Sequence, residues 1–158
     1  MSDSPDMMGD TTGDAKGGPS GDKLRGIVRV DRAVLRQLIA EARATPEVEC
    51  CGLLAGRGEV ISLLFPARES TPRASAYEIS PRELFAFFRR MREEHLEHLG
   101  IYHSHPRGEN SPSPSDVALA YYPDAAYFIV SPLEGVARPV RAFRIADGRW
   151  SELTIQPI

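Results

Sequence analysis

The chain has 158 residues, 42% of them hydrophobic and 26% charged, enough for one globular domain with a sizeable core. A formal net charge of −3 argues against nucleic-acid binding through a basic surface. No apolar run approaches the roughly 20 residues of a bilayer span, and the N-terminus lacks a basic-then-apolar signal pattern, so a cytoplasmic protein with no nucleic-acid or membrane partner is expected.

Residues 1–22 are rich in Gly, Ser, Asp, Thr and Pro, with almost no large apolar side chains, and read as a disordered tail ahead of a domain spanning 23–158. Leu24 to Val30 alternates in part and predicts a first strand. Asp31 offers an N-cap, and Val34, Leu35, Leu38, Ile39 and Ala42 recur at helical spacing up to Ala44. After Pro46, the run Glu49 to Gly56 reads as a buried strand, turned by Arg57-Gly58 into a second one, Glu59 to Phe65. Its vicinal Cys50 and Cys51 cannot staple distant parts of a fold and are taken as core packing. Tyr77 to Ile79 is a short strand candidate. Ser80-Pro81-Arg82-Glu83 then opens a long amphipathic helix carrying Leu84, Phe85, Phe88, Met91 and Leu96, expected to end near Leu99. On that helix Phe87 falls towards the edge of the buried face, Arg89, Arg90 and Arg92 face solvent, and His95 and His98 stand at i, i+3 among Glu93, Glu94 and Glu97, a solvated face rather than a metal pair.

Gly100-Ile101-Tyr102 reads as the end of a buried strand, followed by His103 and His105. Alternate residues of a strand share a face, so both imidazoles point the same way. Pro106 ends the pairing, and a Gly-, Asn-, Ser- and Pro-rich loop leads to Asp116. Two imidazoles and one carboxylate leave a fourth tetrahedral position open, the mark of a catalytic rather than a structural zinc site. Such a site needs an acid–base group. Glu49, a carboxylate opening an apolar strand, is the best candidate, with Glu47, Glu41, Glu59 and Glu78 as others. A short helix follows from Pro114 or Ser115 to Tyr121, then strands at Ala126–Val130 and Val140–Ile145, a turn at Asp147-Gly148 and a strand at Trp150–Ile155. The class is α/β (α+β), a mixed central sheet flanked by helices.

Glu49 in Glu-Cys-Cys-Gly-Leu-Leu, His103-Ser-His105-Pro, and Ser113-Pro-Ser-Asp116 together resemble the JAMM (MPN-plus) zinc metallopeptidase family. The resemblance is nearest to its compact bacterial and archaeal members, in which Pro-x-x-Glu-Cys-Cys-Gly is familiar, and the elements from about residue 24 to 155 fit the family's domain. It implies that His103, His105 and Asp116 hold one zinc ion, that Glu49 activates the attacking water and shuttles its proton, and that Ser113 donates a hydrogen bond to the tetrahedral oxyanion. The implied reaction is hydrolysis of a peptide or isopeptide bond at the Gly-Gly tail of a ubiquitin-like or sulfur-carrier protein. Two other readings are a non-catalytic scaffold of the same fold and a RadC-like protein of DNA-repair association. The intact Glu49, His103, His105 and Asp116 count against the first, and the Glu-Cys-Cys-Gly segment and acidic balance against the second.

Overall fold

The computed structural model of the chain describes residues 25–69 and 78–158. The tail expected over 1–22, the Leu24 start of the first strand and the Tyr77 start of the short strand at 77–79 lie outside the described residues. Seven strands and three helices follow in order: β1 (Ile27–Val30), α1 (Arg32–Ala44), β2 (Cys51–Arg57), β3 (Val60–Pro66), α2 (Pro81–Glu93), β4 (Glu97–Ser104), α3 (Pro114–Ala118), β5 (Ala126–Val130), β6 (Val140–Ala146) and β7 (Arg149–Pro157). Among the described residues, no helix is long and apolar enough to cross a membrane.

The strands form one mixed sheet in the order β1-β3-β2-β4-β5-β6-β7, and β1 pairs with β7 to close it into a barrel. Pairing is parallel at β1–β3, β1–β7 and β4–β5 and antiparallel elsewhere. Strand alternation divides the apolar residues into two cores. In the first, Val34, Leu38 and Ala42 of α1 pack with residues from all seven strands: Val28, Leu54, Ile61, Tyr102, Phe128, Ala142 and Leu153. Burial of Val34 and Leu38 contributes about 1.5–3 kcal/mol each. In the second, Leu53, Ile101, Ile129 and Phe143 meet Met91, Phe87 and Phe88 of α2 and Val117 of α3. α1 opens as its sequence predicts, with Asp31 Oδ1 accepting the Ala33 N–H at 2.8 Å.

Both hairpins turn on two residues with positive φ, Gly58–Glu59 and Asp147–Gly148, the conformation that matches the twist of the flanking strands. The first turn therefore lies one residue beyond the expected Arg57-Gly58. Gly52 is needed for a different reason: a Cβ there would stand 2.3 Å from the Phe65 carbonyl and 2.5 Å from the Tyr102 ring. Cys51 is buried, and Cys50 packs half-buried against the α1 core, with burial pushing its thiol pKa up.

The long helix ends at Glu93, not near Leu99. His95 takes φ 54°, the Leu96 N–H donates to the Met91 carbonyl at 2.7 Å and the His95 N–H to the Arg92 carbonyl at 3.3 Å. This is the two-bond Schellman closure, with its usual apolar contact between Leu96 and Met91 in one core cluster. Leu96 keeps the helical spacing in sequence but is buried from beyond the helix. His95 and His98 consequently do not share a helix face: His95 is exposed at the cap, and His98 lies in β4 edge-on to Phe88 and Tyr122. Burial lowers the His98 pKa. The aromatic expectation also shifts, since Phe85 is 67% exposed whereas Phe87 packs 5.6 Å from Phe65. Arg89 and Arg90 pair with Glu93 and Glu94 on the solvent side, as expected.

A left-handed backbone costs a side chain about 1–2 kcal/mol that glycine does not incur. His95→Gly is expected to stabilise the fold by about 1 kcal/mol, raising the thermal midpoint by about 2–4 °C, as read by calorimetry.

Candidate metal centre and its cleft

β4 is the fourth of the seven strands counted from β1 around the barrel and lies between β2 and β5, with Cys51 opposite His103 from β2 and Ile129 opposite it from β5. Flanked on both sides by β2 and β5, His103 is fully buried. The ladder outlasts the strand by one residue, because the His105 N–H donates to the Val130 carbonyl at 2.9 Å. His105 thus keeps the strand alternation and presents its ring on the face used by His103. The ring centroids lie 4.9 Å apart and the two Nε2 atoms 3.0 Å apart.

Asp116 arrives from the short helix α3. Ser113 is its N-cap and Pro114 its first residue. The Asp116 N–H donates to Ser113 Oγ at 3.1 Å, while the Ser113 N–H donates to Asp116 Oδ2 at 2.8 Å, a reciprocal capping box that fixes the carboxylate. Its Oδ1 then sits 3.1 Å from His103 Nε2 and its Oδ2 3.1 Å from His105 Nε2. One donor atom from each of His103, His105 and Asp116 falls within 4.8 Å of the others, the only such group among the described residues. Two imidazoles and a carboxylate converging on one point are the donor set of an open zinc site, so the residues fit that ion. The His105 Nδ1–H donates to the Glu109 carbonyl at 2.8 Å, which leaves Nε2 with its lone pair towards the cluster.

The three groups shift one another's proton affinities. Burial pushes the His103 pKa down, against the pull of Asp116. Burial also acts on His105, but hydrogen bonds to Asp116 and the Glu109 carbonyl outweigh it and raise the pKa above the ordinary 6.5. Asp116 is desolvated too, yet its bonds to both histidines hold it well below the usual carboxylate range.

Beside the cluster lies an open cleft of about 520 Å³, lined by Glu47, Glu49, His105, Arg107, Ser111 and Ser113 among others. Glu49 is half-buried at the entrance to β2, and its pKa is raised by desolvation, with His105 opposing and Asp116 adding to the shift. Of the other acids considered, Glu47 shares the cleft, Glu41 is bound to Arg68, Glu59 sits in the hairpin turn and Glu78 is exposed. Ser113 also lines the cleft; the Asp116 N–H uses its lone pair and leaves its hydroxyl proton available for donation.

Two residues of the site gave no signal in the sequence. Asn110, the chain's only asparagine, is buried and donates its amide to the Arg138 carbonyl at 2.9 Å, tying the His105–Ser113 loop to the β5–β6 connection. In a polar loop an asparagine is unremarkable, and only its burial reveals it. Ser104 is fully buried between the two histidines. Asn110→Ala is expected to cost about 0.5–1.5 kcal/mol, by removing the part-buried bonds of its amide to the Arg138 and Pro139 carbonyls, and to lower the denaturant midpoint measured by circular dichroism.

The chain resembles several known proteins. A family model for prokaryotic homologs of the JAB domain matches residues 31–146. The CysO-cysteine peptidase of Mycobacterium tuberculosis is 31% identical over 128 residues, covering 80% of this chain and 86% of that protein. A probable TtuB-protein conjugate cleaving protease of Thermus thermophilus is 31% identical over 130 residues, covering 82% and 83%. The solution structure of a protein from Desulfitobacterium hafniense superposes with a TM-score of 0.71 at 28% identity, covering 84% of this chain and 92% of that one.

Proposed function

Because the chain belongs to the family of prokaryotic homologs of the JAB domain, among the compact JAMM hydrolases, we propose that it cleaves a peptide or isopeptide bond at the Gly-Gly tail of a ubiquitin-like or sulfur-carrier protein. The observation that carries this reading is the convergence of His103, His105 and Asp116 beside a cleft that also holds Glu49. The two relatives are named as a CysO-cysteine peptidase and as a probable protease cleaving TtuB-protein conjugates, names that fit this reading. A tail of two glycines suits the cleft because no side chains obstruct its approach to the buried cluster.

In this reading His103, His105 and Asp116 hold one zinc ion per chain. When bound, zinc would supply Lewis-acid polarisation of the scissile carbonyl and a lowered pKa for water. Glu49, whose proton affinity is already raised by burial, accepts the proton of the attacking water and delivers it to the departing nitrogen. Ser113, its oxygen fixed by the Asp116 N–H, donates a hydrogen bond from its hydroxyl to the developing oxyanion. The capping box gives Ser113 a double role, since the same residue orients the carboxylate ligand.

The test is elemental analysis with a cleavage assay on carriers ending in Gly-Gly. One zinc per chain is expected, lost in His103→Ala with His105→Ala; metal-free wild type after zinc addition would sink the reading. Glu49→Gln should keep its zinc and lose about 10²–10⁴-fold in kcat. Zinc affinity should fall with pH in two stages. The raised pKa of His105 means that a proton begins to compete above pH 6.5, at about tenfold per unit. The lowered pKa of His103 keeps it neutral further down, so the slope steepens only at lower pH. Isothermal titration across pH 5–8 reads both.

A further inference from the structure

We propose that Ser104, the residue between the two histidines, is a positioning residue that sets Glu49 against the metal ligands; this rests on the role given to Glu49 above. In a regular antiparallel ladder, Cys50 and Ser104 would exchange two backbone hydrogen bonds, since their neighbours Cys51 and His103 are directly opposed. Only one of the two is of that kind: the Ser104 N–H donates to the Cys50 carbonyl at 3.0 Å. The returning bond goes elsewhere, with the Cys50 N–H donating to Ser104 Oγ at 2.9 Å. The same hydroxyl lies 3.5 Å from the Val48 carbonyl, in a longer and weaker bond.

One side-chain oxygen therefore holds the backbone on both sides of Glu49, which lies just ahead of β2. Ser104 is fully buried, so no water competes for these bonds. Its own backbone is flanked by His103 and His105, both locked in β4–β5 pairing or its extension. The hydroxyl thus adds to the backbone bond from Ser104 to Cys50 a second link between the ligand-bearing strand and the segment carrying the proton acceptor, and it alone reaches both sides of Glu49. Proton transfer and attack are steep functions of placement, and an error of about 1 Å can cost about 10²-fold. Alanine at position 104 keeps every proposed ligand, Glu49 itself and the backbone bond to Cys50, while removing only the bonds of the hydroxyl.

The full chain loaded with zinc is compared as wild type, Ser104→Ala and Ser104→Thr. The substrate is a peptide ending in Gly-Gly, joined by an amide to a fluorescent amine. Ser104→Ala should retain one zinc, keep KM within about twofold and lose about 10- to 100-fold in kcat, and Ser104→Thr should restore most of it. Independently of activity, amide hydrogen exchange at Cys50 should quicken about tenfold or more in Ser104→Ala and return towards wild type in Ser104→Thr. If the alanine variant does not fold, Ser104→Cys, close in volume but a weak acceptor, carries the same comparison. An unchanged kcat, or threonine no better than alanine, overturns the proposal while the peptidase reading stands. A zinc-loaded wild type that cleaves no Gly-Gly substrate overturns both.

Discussion

The Asp116 carboxylate is asked to face two buried imidazoles while itself lying almost out of solvent, and it does so because the Ser113 N–H holds one of its oxygens in place. Desolvating a carboxylate and two histidines together is costly unless each polar atom is engaged. Two contacts to Nε2 atoms and one to a backbone donor engage both oxygens of Asp116, and they also leave the donor atoms aimed at a common point. The first turn of the short helix α3 sets the rotamer of Asp116, while its Val117 packs in the second core.

The sheet supplies the complementary half. Only a strand paired on both sides could bury His103 completely without leaving its backbone unsatisfied, and β4 has β2 and β5 as neighbours. Close approach of β2 depends on the absence of a side chain at Gly52, where the Tyr102 ring and the Phe65 carbonyl occupy the space a Cβ would need. Cys51 and Gly52 therefore read as packing residues, whereas Glu49, two positions earlier, lies where the strand has not yet begun and the cleft opens. Packing and chemistry separate within four consecutive residues.

Much of this was legible in the chain because its signals are local. The i, i+2 histidines on a strand and the helical spacing of Val34, Leu38 and Ala42 each depend on neighbours a few residues away. What escaped were features decided by distant partners or by a single dihedral angle. The left-handed turn at His95 ends a helix that Leu96 would otherwise extend in pattern, and the same pattern exchanged the roles of Phe85 and Phe87. Ser104 and Asn110 became visible only through burial, since a serine between histidines and an asparagine in a polar loop carry no periodicity. Closure of the sheet was also out of reach, because alternation shows that a segment is a strand but not which strand lies beside it.

That closure joins the first and last strands of the domain, with Ile27 opposite Thr154 and the Ile158 N–H bonded to the Val30 carbonyl. Contacts between such remote parts of a chain form slowly, since the loop entropy is lost before the pairing is gained. The hairpins β2–β3 and β6–β7 can assemble locally, but β1 must wait for β7. Until then, β1 presents one unpaired edge of backbone donors and acceptors, and an open edge invites pairing with another chain. The C-terminal strand, which contributes nothing to the ligand cluster, is in this sense the guardian of solubility during synthesis.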